Sequence, residues 1–318
     1  METKDIAQWK VALAFFAIYV IWGTTYIAIT FGLESFPPFL FCAFRYFTAG
    51  FLLFVIAKLQ GHQIPPLNIL TTTSLGGTIA LVGGSGLVTW AEQYIGSGHA
   101  ATVIATEPFM FILFDRKLWR FYFSQKSIIA GLILGFLGLL LFSYAAVPKA
   151  GTENMQMIGN LVLILSAALW VAGSLLSKRA DTAGYSNVML AGIQLMAAGV
   201  ASAIFSGLTG EYPRFTLANV TFEAWSSLVY MITMGSMVAF LAFTWLMTIR
   251  PPALVSTHTY VNPVVAVIVG WMIAGETFNA MQIVGLVIIL LGVLLTKFQE
   301  YKAMPVFAKY FSFRRQKM

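Results

Sequence analysis

The chain of 318 residues is 59% hydrophobic and only 10% charged, with a mean hydropathy of +0.82, where a soluble domain holds about 45–50% apolar and about 25% charged residues. Too little polar surface is left to coat a soluble fold, and 27 glycines, a single cysteine (Cys42) and abundant aromatics also exclude collagen-like, disulfide-stapled and disordered chains. What remains is an all-α integral membrane protein, for which the net charge of +7 is a question of sidedness before it is one of nucleic acid.

Apolar runs bounded by polar, proline or glycine punctuation predict ten spans, at 10–30, 37–59, 68–92, 97–118, 126–147, 156–178, 186–207, 222–247, 252–274 and 279–298. The first is read as retained, because Trp22, Thr24, Thr25 and Tyr26 interrupt the small-residue region that a cleaved signal needs. Alternate connections divide the basic residues unevenly. Sixteen fall on one side, from Lys4, Lys10 and Lys58 through Arg116, Lys117, Arg120, Lys126, Lys178, Arg179 and Arg250 to the tail, and only Lys149 and Arg214 fall on the other. This places both termini in the cytoplasm and accounts for the basic balance with no nucleic-acid partner. The tail at 309–317 reads as a topology determinant or a contact with membrane lipid headgroups.

An internal repeat runs through the spans. Trp22 matches Trp170 at an offset of 148, Ala49-Gly50 matches Ala198-Gly199 at 149, and Thr89-Trp90 matches Thr244-Trp245 at 155. Pro108 matches Pro263 at 155, while Gly131 and Gly138 match Gly285 and Gly292 at 154. Each unit holds five helices, and an odd number inverts the second unit relative to the first. Two inverted five-helix repeats, at 10–147 and 156–298, are the expected domains, with a 1–9 cytoplasmic N-terminus, a 148–155 linker and a 299–318 cytoplasmic tail. Such repeats typify secondary transporters, with a substrate site near the midplane.

Charges within spans are costly and mark function. Arg45 lies ~12 Å below the outer end of the second span and Glu107 ~15 Å below that of the fourth, at 1.5 Å per residue. Similar depth suggests that they pair, in a site or as a structural tie. Their repeat mates are neutral amides, Gln194 and Asn262, so the expected site is a polar waist charged in one half and neutral in the other. Pro108 and Pro263 follow two of these residues and should break their helices near Ile104 and Thr259. Trp22, Thr25 and Tyr26 add polar and aromatic groups at mid-depth. Trp90 and Trp245 either wall a cavity or belong to an interfacial belt, and His258 lies one helical turn from Asn262. Asp115 and Arg116 are expected to form an interfacial polar cluster or a gate, Glu92 and Glu276 should be solvated caps at outer ends, and the glycines of the fifth and tenth spans should be packing faces.

HExxH, CxxC and P-loop motifs are absent, so metal hydrolysis and ATP-driven pumping have no support and no metal or cofactor is expected. Gly83-Gly84-Ser85-Gly86 contains the GxSG of intramembrane serine proteases, but a glycine-rich packing face explains it as well. A passive channel is the other alternative to a carrier.

Trp22-Gly23-Thr24-Thr25-Tyr26, Pro37-Pro38 followed by Arg45, and Ala91-Glu92-Gln93-Tyr94 resemble the EamA-type branch of the drug/metabolite transporter superfamily. So do Tyr260-Val261-Asn262-Pro263-Val264-Val265-Ala266 and Gly275-Glu276 in the second unit. The resemblance implies alternating access, a cavity lined by helices 1–4 and 6–9, and peripheral helices 5 and 10. It implies a small-molecule substrate such as an amino acid, a derivative or another metabolite, exported across a bacterial inner membrane. Tyr260 enters the site expectation through this motif, and Glu107 is a candidate for coupling to protons. One departure stands out: the Gly-acid pair expected after the fourth helix is replaced by Phe121-Tyr122-Phe123.

Overall fold

The computed structural model describes residues 7–114, 119–145, 153–180, 182, 184–250 and 252–295, and among these every regular element is helical. Eight of the described helices are long and apolar enough to cross a bilayer: α1 (Gln8–Gly32), α2 (Pro38–Leu59), α3 (Leu67–Ala91), α4 (Ser97–Phe114), α5 (Lys126–Ala145), α6 (Asn154–Arg179), α7 (Asn187–Leu208) and α8 (Phe222–Ile249). Two shorter apolar helices follow, α9 (His258–Ala274) and α10 (Ala280–Leu295). The Asp115 and Arg116 cluster, most of the 148–155 linker and the basic tail lie outside the described residues.

Local chemistry sets the helix ends. Pro38 opens α2 with its fixed φ, where a missing N–H costs nothing. Left-handed glycines close three helices: Gly61 (φ 79°) after α2, Gly210 (φ 68°) after α7 and Gly275 (φ 65°) after α9. Large apolar side chains such as Phe47, Phe51, Phe136, Leu161, Ile204 and Trp271 are exposed on the helix surfaces. Surface of this kind is stable only in lipid. The chain is a multi-pass membrane protein.

Contacts group the chain into two units, one of residues 1–107 with 147–277 and one of residues 108–146 with 278–318. In the larger unit α2 and α7 pack antiparallel through their glycines. A Cβ on Gly50 would lie 2.5 Å from the amide nitrogen of Met196, and one on Gly199 would lie 2.5 Å from that of Phe47. Residues 47 and 196 are separated by the same 149 positions as 50 and 199. The smaller unit repeats the pattern between α5 and α10. A Cβ on Gly138 would lie 2.7 Å from Ile289 N, and one on Gly292 would lie 2.5 Å from Gly135 N. Here both pairs are related by 154 positions. Reciprocal contacts at the repeat offset are those of a pseudo-two-fold axis in each interface, and only glycine lets the backbones come this close.

Three helices carry π-helical segments: Ala17–Ile21 in α1, Ile79–Gly86 in α3 and Met231–Phe240 in α8. The last two overlap when shifted by the 155 positions that relate Trp90 to Trp245. Such segments disturb the i→i−4 ladder and free carbonyls, which inside a membrane must find other donors.

The proline expectation needs correction for the second repeat. In α4 the helix breaks at Ala105–Thr106, just ahead of Pro108. In the second repeat the break falls at Ser256–Thr257, and Pro263 is carried inside α9. Threonines brace both breaks, Thr106 Oγ1 donating to Val103 O at 2.7 Å and Thr259 Oγ1 to Ser256 O at 2.8 Å, each beside the amide of the same residue. Solvated capping by the outer acids also needs correction: Glu92 is fully buried, and Glu276 is half-buried and caps the N-terminus of α4.

Candidate functional site

Trp22, the residue that follows the π segment of α1, organises the middle of the larger unit. Its Nε1 donates to Gly235 O at 3.2 Å, a carbonyl in the π segment of α8. Its ring meets the edges of His258 (centroids 5.0 Å apart) and Trp170 (5.4 Å) and packs on Phe243 (5.2 Å). The other π segments are tied in the same way. Tyr46 Oη donates to Leu81 O in α3 at 3.2 Å. The Asn262 amide, oriented with its nitrogen toward acceptors, donates to Ile18 O at 3.1 Å and Tyr19 O at 2.8 Å in α1. Side chains of α2, α1 and α9 therefore answer the carbonyls that α3, α8 and α1 open.

A cavity of about 80 Å³, partly open to the outside, lies among these segments, lined by residues of α1, α2, α3, α4, α6, α8 and α9. Arg45 lines it at 4% exposure and Glu107 at 2%. Arg45 Nε donates to Ser236 Oγ at 2.9 Å, and its guanidinium lies 4.8 Å above the Tyr46 ring. Glu107 is the first helical residue after the α4 break, which sets its carboxylate in the cavity wall. Trp22, Thr25, Tyr26, His258 and Asn262 complete the expected residues found in the lining.

Four expected residues lie elsewhere. Gln194 is buried against α3, its Cβ 2.7 Å from where a Cβ on Gly77 would sit. Trp90 borders a second, more polar cleft with Pro37, Gln93, Tyr94, Glu211 and Arg214. Trp245 packs half-buried on the aromatic core, and Tyr260 is not among the lining residues. Conversely, Ser166, Trp170, Gly84, Ser236 and Phe240 line the cavity and were not expected there. Trp170 carried a signal, as the repeat mate of Trp22, and the glycines of the two π segments were a second. Asn262 lines the cavity, but its amide also accepts from His258 Nδ1 at 3.2 Å, so its polar atoms are committed to structure. Among the described residues no three His, Cys, Asp or Glu side chains cluster as metal ligands.

Two carboxylates clasp helix ends of the same unit. Glu211, directly after Gly210, accepts from Phe39 N at 3.2 Å and Leu40 N at 2.8 Å in the first turn of α2. Glu276, directly after Gly275, accepts from Ser97 N at 2.6 Å and Gly98 N at 3.1 Å in the first turn of α4. Each carboxylate satisfies two N–H groups that a helix start leaves open and adds its charge at the positive end of the dipole. Gly270 and Gly96 make room for Glu276.

A model of the EamA-like transporter family matches residues 9–144 and again 157–298. The chain is 33% identical over 298 residues to an uncharacterized inner membrane transporter, YedA, of Escherichia coli K12, covering 93% of this chain and 94% of that one. It is 25% identical to protein PecM of Dickeya dadantii over 86% of this chain and 88% of that one. It is 24% identical to an uncharacterized transporter, YoaV, of Bacillus subtilis over 91% and 97%. A solved crystal structure shares the fold with a TM-score of 0.64 at 18% identity, over 91% of this chain and 98% of the other. The chain belongs to the EamA-like transporter family.

Proposed function

We propose that the protein is a secondary active transporter, an exporter or exchanger of small metabolites such as amino acids or their derivatives, working by alternating access in a bacterial inner membrane. The observation that carries this reading is the cavity, which sets the buried Arg45 and Glu107 among aromatic, aliphatic and small polar side chains of seven helices. Intramembrane charge costs roughly 2.5–3.5 kcal/mol per residue on insertion scales, and a binding site is the usual return for that cost. The fold is read as ten spans in two inverted repeats, 10–147 and 156–298, with both termini cytoplasmic. The reciprocal glycine contacts at the repeat offsets support the inversion. On this topology the Glu211 and Glu276 clasps lie at the outer ends of α2 and α4, where they would hold the outer side shut. Glu107 is the candidate proton carrier, as the carboxylic residue among those that line the cavity.

Proteoliposomes loaded with a metabolite panel test the reading. Saturable uptake with counterflow is expected, and a pH gradient should drive uphill movement in wild type. Glu107→Gln should lose the uphill component and keep exchange. Uptake that never saturates and shows no counterflow would identify a channel and overturn the carrier.

A further inference from the structure

Several polar atoms in the cavity wall are buried and have no hydrogen-bond partner: Arg45 Nη1, Trp170 Nε1, Ser166 Oγ and His258 Nε2. Buried polar groups in folded proteins are nearly always satisfied. Other unpartnered atoms lie elsewhere, such as Ser202 Oγ and Ser206 Oγ, but these four share one cavity with a cation and so can be answered by one ligand. Arg45 and Trp170 can only donate. The Ser166 hydroxyl can do either. His258 uses Nδ1 on Asn262, so its neutral ring offers Nε2 as an acceptor. The two obligate donors come from α2 and α6, and the Trp22 ring links their surroundings, touching Trp170 and bonding to Gly235 beside the Ser236 that holds Arg45.

We propose that the cavity recognises its substrate through a carboxylate that accepts N–H groups from Arg45 Nη1 and Trp170 Nε1, with the substrate's apolar body against Trp22 and Phe240. The inference rests on the transporter reading and names the substrate class of that same site. A monoanion fits better than a phosphate. Arg45 is the one guanidinium in the lining, no lysine stands beside it to balance further charge, and most of the remaining wall is aromatic or aliphatic. Trp170 becomes a specificity-determining residue: its ring packs on Trp22 and Phe243 whatever is bound, but its N–H discriminates between ligands. The free Nε2 of His258 accepts from a hydroxyl or amine elsewhere on the substrate, where one is present.

The test uses purified full-length protein and acid–amide pairs with a common body: phenylacetate with phenylacetamide, indole-3-acetate with indole-3-acetamide, and 4-methylvalerate with its amide. Calorimetric titration should find at least one acid bound ten-fold or more tightly than its amide. Trp170→Phe keeps the ring and removes the N–H, so it should lower that ratio about ten-fold, the effect of losing one hydrogen bond to a charged group. Its affinity for the amides should fall less than for the acids, because a hydrogen bond to a neutral carbonyl is the weaker one. No acid in the panel outbinding its amide, or Trp170→Phe leaving the ratio unchanged, overturns the proposal. The wild-type ratio decides the anion question even where the variant fails to fold. Counterflow of the same probes separates the two readings. Acid-selective binding without saturable flux strikes the carrier and spares the anion site, and saturable flux that prefers the amides does the reverse.

Discussion

The two halves of the chain share a scaffold and differ in where they keep their charges. The first half buries Arg45 and Glu107 at the cavity, and the repeat mates in the second half are the amides Gln194 and Asn262. At the helix ends the distribution reverses. Gly210-Glu211 and Gly275-Glu276 in the second half each place a carboxylate on the start of a first-half helix. The corresponding first-half positions hold Gly61-His62 and Phe121-Tyr122-Phe123. Ser186 and Thr257, which precede α7 and α9, supply no side-chain cap. On the proposed alternating-access reading, a symmetric scaffold would allow two exchangeable arrangements, and the asymmetric charges would decide which one is favoured.

The largest effect should come from the interior charges. Neutralising one of a buried, interacting pair typically costs about 3–5 kcal/mol. Arg45→Gln and Glu107→Asn should each lower thermal stability in detergent on that scale, and the double variant, which copies the second half, should recover part of the loss. Strict additivity would mean that the two residues do not interact.

The clasps come next. Glu276→Ala or Glu211→Ala strands two N–H groups at a helix start and should cost about 2–3 kcal/mol, from roughly 1–3 kcal/mol for each stranded group with partial rescue by water. His62→Ala, at the unclasped counterpart, should stay within about 0.5 kcal/mol. Equal losses at the two positions would erase the contrast between the halves.

The smallest effect separates the amides. Asn262→Leu removes the donors to Ile18 and Tyr19 carbonyls and should cost about 1–3 kcal/mol by leaving them unpaired. It should do so equally in protein without ligand, because the amide serves the backbone. A loss seen only as weaker ligand binding would return Asn262 to the recognition surface.

Much of this was legible in the sequence because it rests on residue types that leave few choices. Glycines at a near-constant offset marked the helix contacts, and Arg45, Glu107 and Trp22 were too costly or too large to ignore in mid-span. The π segments were not legible, since one extra residue per turn leaves apolar helices with no periodicity to read. Gln194 was expected at the cavity from its repeat mate, but Gly77 lets α3 close over that face. Glu276 looked like a solvated end group and Glu211 drew no reading, because their partners lie 171–179 residues away in sequence. Trp170 was visible only as the mate of Trp22, and its open N–H requires the packed core to be seen.

Alternating access is tested most directly by reaching the cavity from each side. In a Cys42→Ser background, Ala167→Cys places one thiol in the lining, and an impermeant maleimide can be applied to intact cells and to inverted vesicles. Labelling is expected from both sides, with Glu276→Ala raising the rate from outside and lowering it from inside as the outer clasp is lost. Labelling from one side only, in wild type and in the clasp variant alike, would contradict a site that alternates.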